Sequence, residues 1–392
     1  MPSHSKKLEK IPPYLFVEIA RIKAEMRAKG ETIIDLGIGD PDLPTPNDIV
    51  KSAQHAVTIP ETHRYDESPR GYKKFLEKAA QWHAKHFSTN LNHETDFLEV
   101  IGSKEGLAHL VWAFIDPGDA VIVPDPAYPV YRIHAEMCGA ELFYATLKQE
   151  NGFLPKLEDI PSDVAKKTKL FFTCYPNNPT GAVAPLSFYE DAVNFCKQYD
   201  IILVADLAYA MVGYDDYKPV SPLQIPDSKD NVIEFHSLSK PYNMTGWRIG
   251  FACGSNHAIK ALGLLKDNLD SKQFAAIAET GAYALENADN SKTFDLYKKR
   301  RDILVDGLNE LGWYIEKPKA TFYVWAKVPT NETSAQFAKR LLEEAKVLVI
   351  PGNGYGHAGE GFVRMSLTVS GDKNGELLHE AVERIKNAKI LK

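Results

Sequence analysis

The sequence predicts an α/β protein: a large domain with a mostly parallel sheet covered by helices, and a smaller α+β domain beside it. Three observations carry that expectation. Strand-like and helix-like segments alternate from about residue 50 to residue 285, the pattern of βαβ units feeding a parallel sheet. Several strand candidates are continuous apolar runs, such as Ala120-Val121-Ile122-Val123 and Ile201-Ile202-Leu203-Val204-Ala205. A strand that is apolar on both faces belongs in a sheet with helices on both sides. From about residue 290 the alternation gives way to a long charged helix through Tyr297-Lys298-Lys299-Arg300-Arg301. Strand candidates at Thr321-Phe322-Tyr323-Val324-Trp325 and Leu348-Val349-Ile350 follow, then a closing helix near Leu377 to Lys389. The expected large domain is 48–285, and the smaller one combines 1–47 with 286–392.

In chain order, each apolar run ends in residues suited to chemistry. Phe97-Leu98-Glu99-Val100-Ile101 leads into Gly102-Ser103-Lys104-Glu105-Gly106, which opens a helix. Backbone N–H groups at a helix start, together with the helix dipole, attract an anion, so Ser103 and Lys104 are candidates to contact a phosphate. Ala120-Val121-Ile122-Val123 precedes Asp125-Pro126-Ala127-Tyr128-Pro129, and Leu170-Phe171-Phe172-Thr173 precedes Asn177-Asn178-Pro179-Thr180-Gly181. Asp206 directly follows the run 201–205, and ligands of open α/β sheets bind at the carboxyl ends of strands.

The most informative stretch is Ser237-Leu238-Ser239-Lys240, with Arg248 eight positions beyond the lysine and glycines on either side of that arginine. A lysine flanked by small hydroxyl residues can hold an aldehyde cofactor as a Schiff base, while the serine hydroxyls and the guanidinium bind its phosphate. That chemistry belongs to pyridoxal 5′-phosphate, with Lys240 as the covalent anchor and Ser237, Ser239 and Arg248 as phosphate ligands.

Composition sets the outer bounds. The chain has 392 residues, 44% of them hydrophobic, and a formal net charge of −6. This suits substantial cores and argues against a nucleic-acid surface, which is basic in at least one patch. No apolar run reaches the length of a signal peptide or a membrane span, so a cytoplasmic protein without a membrane partner is expected. The four cysteines show no Cys-x-x-Cys spacing, and the twelve histidines show no metal-ligand spacing on a predicted helix, so no metal is expected.

The motifs, in this order, resemble those of the fold-type I pyridoxal-phosphate aminotransferases (class I/II). The resemblance implies that Asp206 pairs with the cofactor's pyridine nitrogen, that Tyr209 and Asn178 contact its phenolic oxygen, and that Tyr128 stacks on its ring. Arg364, in Phe362-Val363-Arg364-Met365-Ser366, matches the arginine that grips the substrate α-carboxylate. Gly39, in Ile38-Gly39-Asp40-Pro41-Asp42, matches a glycine whose N–H touches the same group. Tyr65 matches a tyrosine that crosses from a second subunit to the phosphate, which implies a homodimer with shared active sites.

Within that family the chain most resembles the LL-diaminopimelate aminotransferases, nearly end to end, from Ile11-Pro12-Pro13-Tyr14-Leu15-Phe16 to Pro351-Gly352-Asn353-Gly354. The implied reaction moves an amino group between LL-diaminopimelate (its oxo form being tetrahydrodipicolinate) and 2-oxoglutarate (its amino form being glutamate), in lysine biosynthesis. Tyr14, Lys104, Tyr128 and Asn178 would then contact substrate, and Asn268 would reach in from the partner. Two departures from the group's pattern, Leu207 and Lys272, lie near the expected substrate pocket. Alanine or aspartate aminotransferases, and pyridoxal-dependent β-lyases, share the cofactor motifs and stand as alternatives.

Overall fold

The computed structural model describes residues 2–9, 11, 21, 23–26, 28 and 30–391. Its central element is a seven-stranded sheet of β2 (Phe97–Val100), β3 (Ala120–Asp125), β4 (Glu141–Thr146), β5 (Thr168–Cys174), β6 (Ile202–Asp206), β7 (Val232–Ser237) and β8 (Gly250–Gly254), in the spatial order β2-β8-β7-β6-β5-β3-β4. β4, β3, β5, β6 and β7 pair in parallel, whereas β8 runs antiparallel to both β7 and β2. The connection from β7 to β8 therefore reverses the chain, and it is this reversal that carries Lys240 and Arg248.

Side-chain alternation along these strands divides the core in two. Leu203 and Ala205 of β6 join a cluster with Phe75, Trp82, Phe188 and Ala278. Ile202 and Val204 join the opposite cluster with Leu107, Val130 and Leu262. Both faces are covered by helices, which is why the strand sequences read as unbroken apolar runs. The edge strand β4 differs, with a pattern half exposed along its length; its mixed sequence gives no comparable apolar signal.

A third cluster lies beyond the sheet. The helices Ser291–Glu310 and Glu376–Asn387 pack on the three-stranded antiparallel sheet of β11 (Ile350–Pro351), β12 (Phe362–Ser366) and β9 (Tyr323–Lys327). The short strand β1 (Ile34–Asp35) pairs in parallel with β10 (Val347–Leu348), so Ile34 and Leu36 enter this cluster. The segment after β6 bridges the two regions, because Ala208, Tyr209, Val212 and Tyr214 pack among the same residues. Arg300, fully buried, donates to Asp42 (2.9 Å) and to Asp372 (2.7 Å), tying the stretch after Gly39 to the long helix. Among the described residues, no helix is long and apolar enough to cross a membrane.

Candidate active site

The carboxyl ends of β5, β6 and β7, the start of the helix Ser103–Phe114 and the segment 38–40 enclose a cavity of about 410 Å³. Its volume falls in the ordinary range for small-molecule sites. Gly39, Ser103, Lys104, Tyr128, Asn178, Asp206, Tyr209, Ser237, Ser239, Lys240, Arg248 and Arg364 all line it. Twelve residues drawn from eight separate stretches of sequence thus converge on one space.

Lys240 is partly buried, its side chain 18% exposed, and its Nζ donates to the Gly39 carbonyl oxygen at 3.2 Å and stands 3.8 Å from the Asp40 carboxylate. Burial lowers its pKa to about 8, with the Arg364 and Arg248 charges acting in the same direction and Asp40 and Asp206 opposing. An amine so placed is a nucleophile near neutral pH. Asp206 lies at the end of β6, where its carboxylate accepts from the Tyr131 hydroxyl (2.7 Å) and the Ala208 N–H (3.2 Å). Burial raises its pKa, offset in part by those two donors and by Lys240. A buried carboxylate in that state gains from a cation beside it.

The opposite wall is built for a carboxylate. Arg364 of β12 donates to the Asn178 side-chain oxygen (2.9 Å) and the Gly37 carbonyl (2.8 Å), and its guanidinium lies 4.1 Å from the centre of the Tyr323 ring. The planar fork is thereby held in place before any ligand arrives. Gly39 must be glycine here, since a Cβ would come within 2.1 Å of the Tyr323 hydroxyl. That hydroxyl donates to the Gly39 carbonyl at 3.2 Å and pairs with the Tyr209 hydroxyl at 2.7 Å.

The phosphate candidates gather around the helix start. The helix Ser103–Phe114 begins at Gly102, which has φ +77 and no side-chain cap. A Cβ on Gly102 would meet the Arg248 guanidinium at 2.5 Å, so the absent side chain is what lets the guanidinium approach the helix N-terminus. Ser237 and Ser239 follow β7, and the Ser237 hydroxyl accepts from the Ser239 N–H at 3.2 Å. Just upstream, buried Glu234 accepts from His83 (2.9 Å), His236 (2.9 Å), the Leu223 N–H (3.1 Å) and the Ser221 hydroxyl. With Cys253, this group brings ligand-type atoms within 4.8 Å of one another, but the carboxylate is already surrounded by donors and acts as a hydrogen-bond hub under the loop.

Not every expected residue is in the cavity. Tyr65 is 92% exposed and Asn268 is exposed with its amide bonded to the Leu264 carbonyl (2.9 Å); neither lines the cavity of its own chain. Tyr14 lies outside the described residues. Leu207 does not face the cavity: it is buried in the core cluster with Trp82, Leu238 and Tyr242, because the strand exit turns alternate side chains away from the ligand. Lys272 is likewise outside the lining, with its amine on the loop that carries Tyr65. Conversely, Tyr131, Tyr323 and Asp40 line the cavity without having been assigned a role from sequence. Tyr131 lies in the helix Val130–Cys138 while Tyr128 precedes that helix, so their spacing is no helical repeat and gives no sequence signal.

Known proteins resemble the chain along nearly its whole length. The sequence profile of the family described as aminotransferase class I and II matches residues 31–385. An LL-diaminopimelate aminotransferase of Moorella thermoacetica is 47% identical over 384 residues, covering 97% of each chain. One from Aquifex aeolicus is 47% identical, covering 98% of this chain and 99% of its own. Among solved structures, substrate-bound BacF from Bacillus subtilis superposes with a TM-score of 0.93 at 38% identity, covering 100% of this chain and 98% of the other.

Proposed function

Because the chain belongs to the class I and II aminotransferases, we propose that its reaction transfers an amino group between LL-diaminopimelate and 2-oxoglutarate, yielding tetrahydrodipicolinate and glutamate, or the reverse in lysine biosynthesis. The observation that carries the reading is the convergence of Lys240, Asp206 and Arg364 on one cavity in a chain 47% identical, over nearly all its length, to enzymes of that name. The solvent side of the cavity adds support. The exposed lining residues Asp40 and Lys104 offer one charge of each sign, and the far end of diaminopimelate carries both an ammonium and a carboxylate. A buried charge left unpaired is far more costly than a missing methylene, so such a substrate needs both.

The residues fit pyridoxal 5′-phosphate. Lys240 supplies the amine for covalent attachment. Asp206 pairs with the ring nitrogen, where its burial calls for a cation, and Tyr128 packs on the ring. Asn178 and Tyr209 reach the phenolic oxygen, while Ser103, Lys104, Ser237, Ser239 and Arg248 hold the phosphate, joined by Tyr65 of the partner subunit. Bound there, the cofactor supplies an electron sink for the substrate's Cα electrons. Arg364 and the Gly39 N–H orient the α-carboxylate; Lys104 contacts the remainder, joined by Asn268 of the partner subunit. Lys240 would take the proton from the substrate's Cα and later return one, a task suited to an amine whose pKa is lowered to about 8.

The anchor is tested by borohydride reduction followed by peptide mass mapping. The expected result is a single reduced pyridoxyl adduct at Lys240, lost in Lys240→Ala together with turnover; an adduct at another lysine in the wild type contradicts the assignment.

A further inference from the structure

Lys272, one of the two departures from the resembled pattern, makes contacts that a small residue cannot. Its Nζ donates to the Asp66 carbonyl oxygen at 2.9 Å and also to that of Ser68. Those carbonyls flank the turn immediately after Tyr65. The turn has some order of its own, since the Asp66 carboxylate accepts from the Ser68 N–H at 3.1 Å. Further along the segment, Glu99 of β2 accepts from the Tyr72 N–H at 2.8 Å, and its own N–H donates to the Arg70 carbonyl at 2.9 Å. Gly71 lets the chain pass this close, because a Cβ there would fall 2.3 Å from that of Glu99. Segment 64–72 is thus tied to Lys272 near its start and to β2 at its end, with Tyr65 exposed on it.

An exposed tyrosine on a free loop loses conformational freedom when it binds, and that loss weakens binding; a loop fixed beforehand avoids it. Two backbone carbonyls aimed at one point call for a group with several N–H donors, and the lysine ammonium has three. We propose that Lys272 is a positioning residue that holds the Tyr65 loop in the posture in which Tyr65 meets the cofactor phosphate in the second copy of this chain. The proposal rests on the reading that Tyr65 reaches that phosphate.

The test is cofactor affinity of the apo dimer, measured by titrating pyridoxal 5′-phosphate into wild type, Tyr65→Phe, Lys272→Met, Lys272→Arg and the double variant Tyr65→Phe/Lys272→Met. Urea midpoints confirm that each is folded. Tyr65→Phe and Lys272→Met are each expected to weaken binding about tenfold, with the double variant no weaker than Tyr65→Phe alone. Lys272→Arg, which keeps the donors, should stay within about twofold of wild type. If Tyr65→Phe weakens binding while Lys272→Met does not, or if the two losses add in full, the positioning role is wrong and the reading of Tyr65 stands. If Tyr65→Phe leaves affinity unchanged, the reading of Tyr65 falls and the proposal with it.

Discussion

A partly buried lysine set among two arginines and two carboxylates is the residue on which the proposed chemistry depends. With its pKa lowered to about 8, about a tenth of Lys240 is free base at pH 7, against roughly one part in three thousand for an unperturbed lysine. Only the free base attacks an aldehyde. Covalent uptake of pyridoxal 5′-phosphate by the apoenzyme, followed by stopped-flow absorbance, should therefore quicken about fivefold between pH 7 and pH 8 and level off above roughly pH 9. A rate still climbing in proportion at pH 10 would show an ordinary lysine. Lys240 was legible in the sequence because the candidate phosphate ligands, Ser237, Ser239 and Arg248, are its neighbours in the chain. Tyr323 and Tyr131 were not, since what makes them site residues is contact with Gly39, 284 positions away, and Asp206, 75 positions away. Spacing along a chain carries no trace of such contacts.

Among the elements, the start of the helix Ser103–Phe114 and the end of β2 each make a claim that can be measured. Gly102→Ala places a side chain at φ +77 and against the Arg248 guanidinium. The backbone strain costs about 1 kcal/mol, and the displaced guanidinium should weaken cofactor binding about tenfold or more, read by titration of the apoenzyme. Glu99 of β2 has its pKa raised to about 7, chiefly by burial. A carboxyl raised in the folded state contributes stability that is full below its unfolded value, near 4.5, and is lost as pH rises through about 7. Glu99→Gln, which cannot ionise, should then be more stable than wild type at pH 8 by on the order of 2 kcal/mol and show little gain at pH 5. Equal urea midpoints at pH 8 would refute the assignment. The central strands were readable as apolar runs because both their faces are covered, whereas the half-exposed edge strand β4 and the two-residue strand β1 offered no such run; the run Leu348-Val349-Ile350 proves to join two short strands, β10 and β11, rather than form one.

At the scale of the whole molecule, the sheet brings Ser237, Asp206 and Lys240 together, while β9, β12 and the segment 37–40 close the cavity from the side of the third cluster with Tyr323, Arg364 and Gly39. The cavity thus lies between the sheet and that third cluster; in the proposed reaction the substrate carboxylate would be held by Arg364 from the one side and the cofactor by the other. The fold class could be read from alternation alone. The far end of the substrate pocket could not: Asn268, which the resemblance puts there, does not line the cavity of its own chain. The most direct test is a comparison of kcat/KM for LL-diaminopimelate, meso-diaminopimelate, alanine and aspartate as donors to 2-oxoglutarate. A pocket that pairs both distal charges in one configuration should favour the LL isomer over each of the others by about a hundredfold or more. A higher kcat/KM for alanine or aspartate would contradict the substrate assignment and leave an aminotransferase of different specificity.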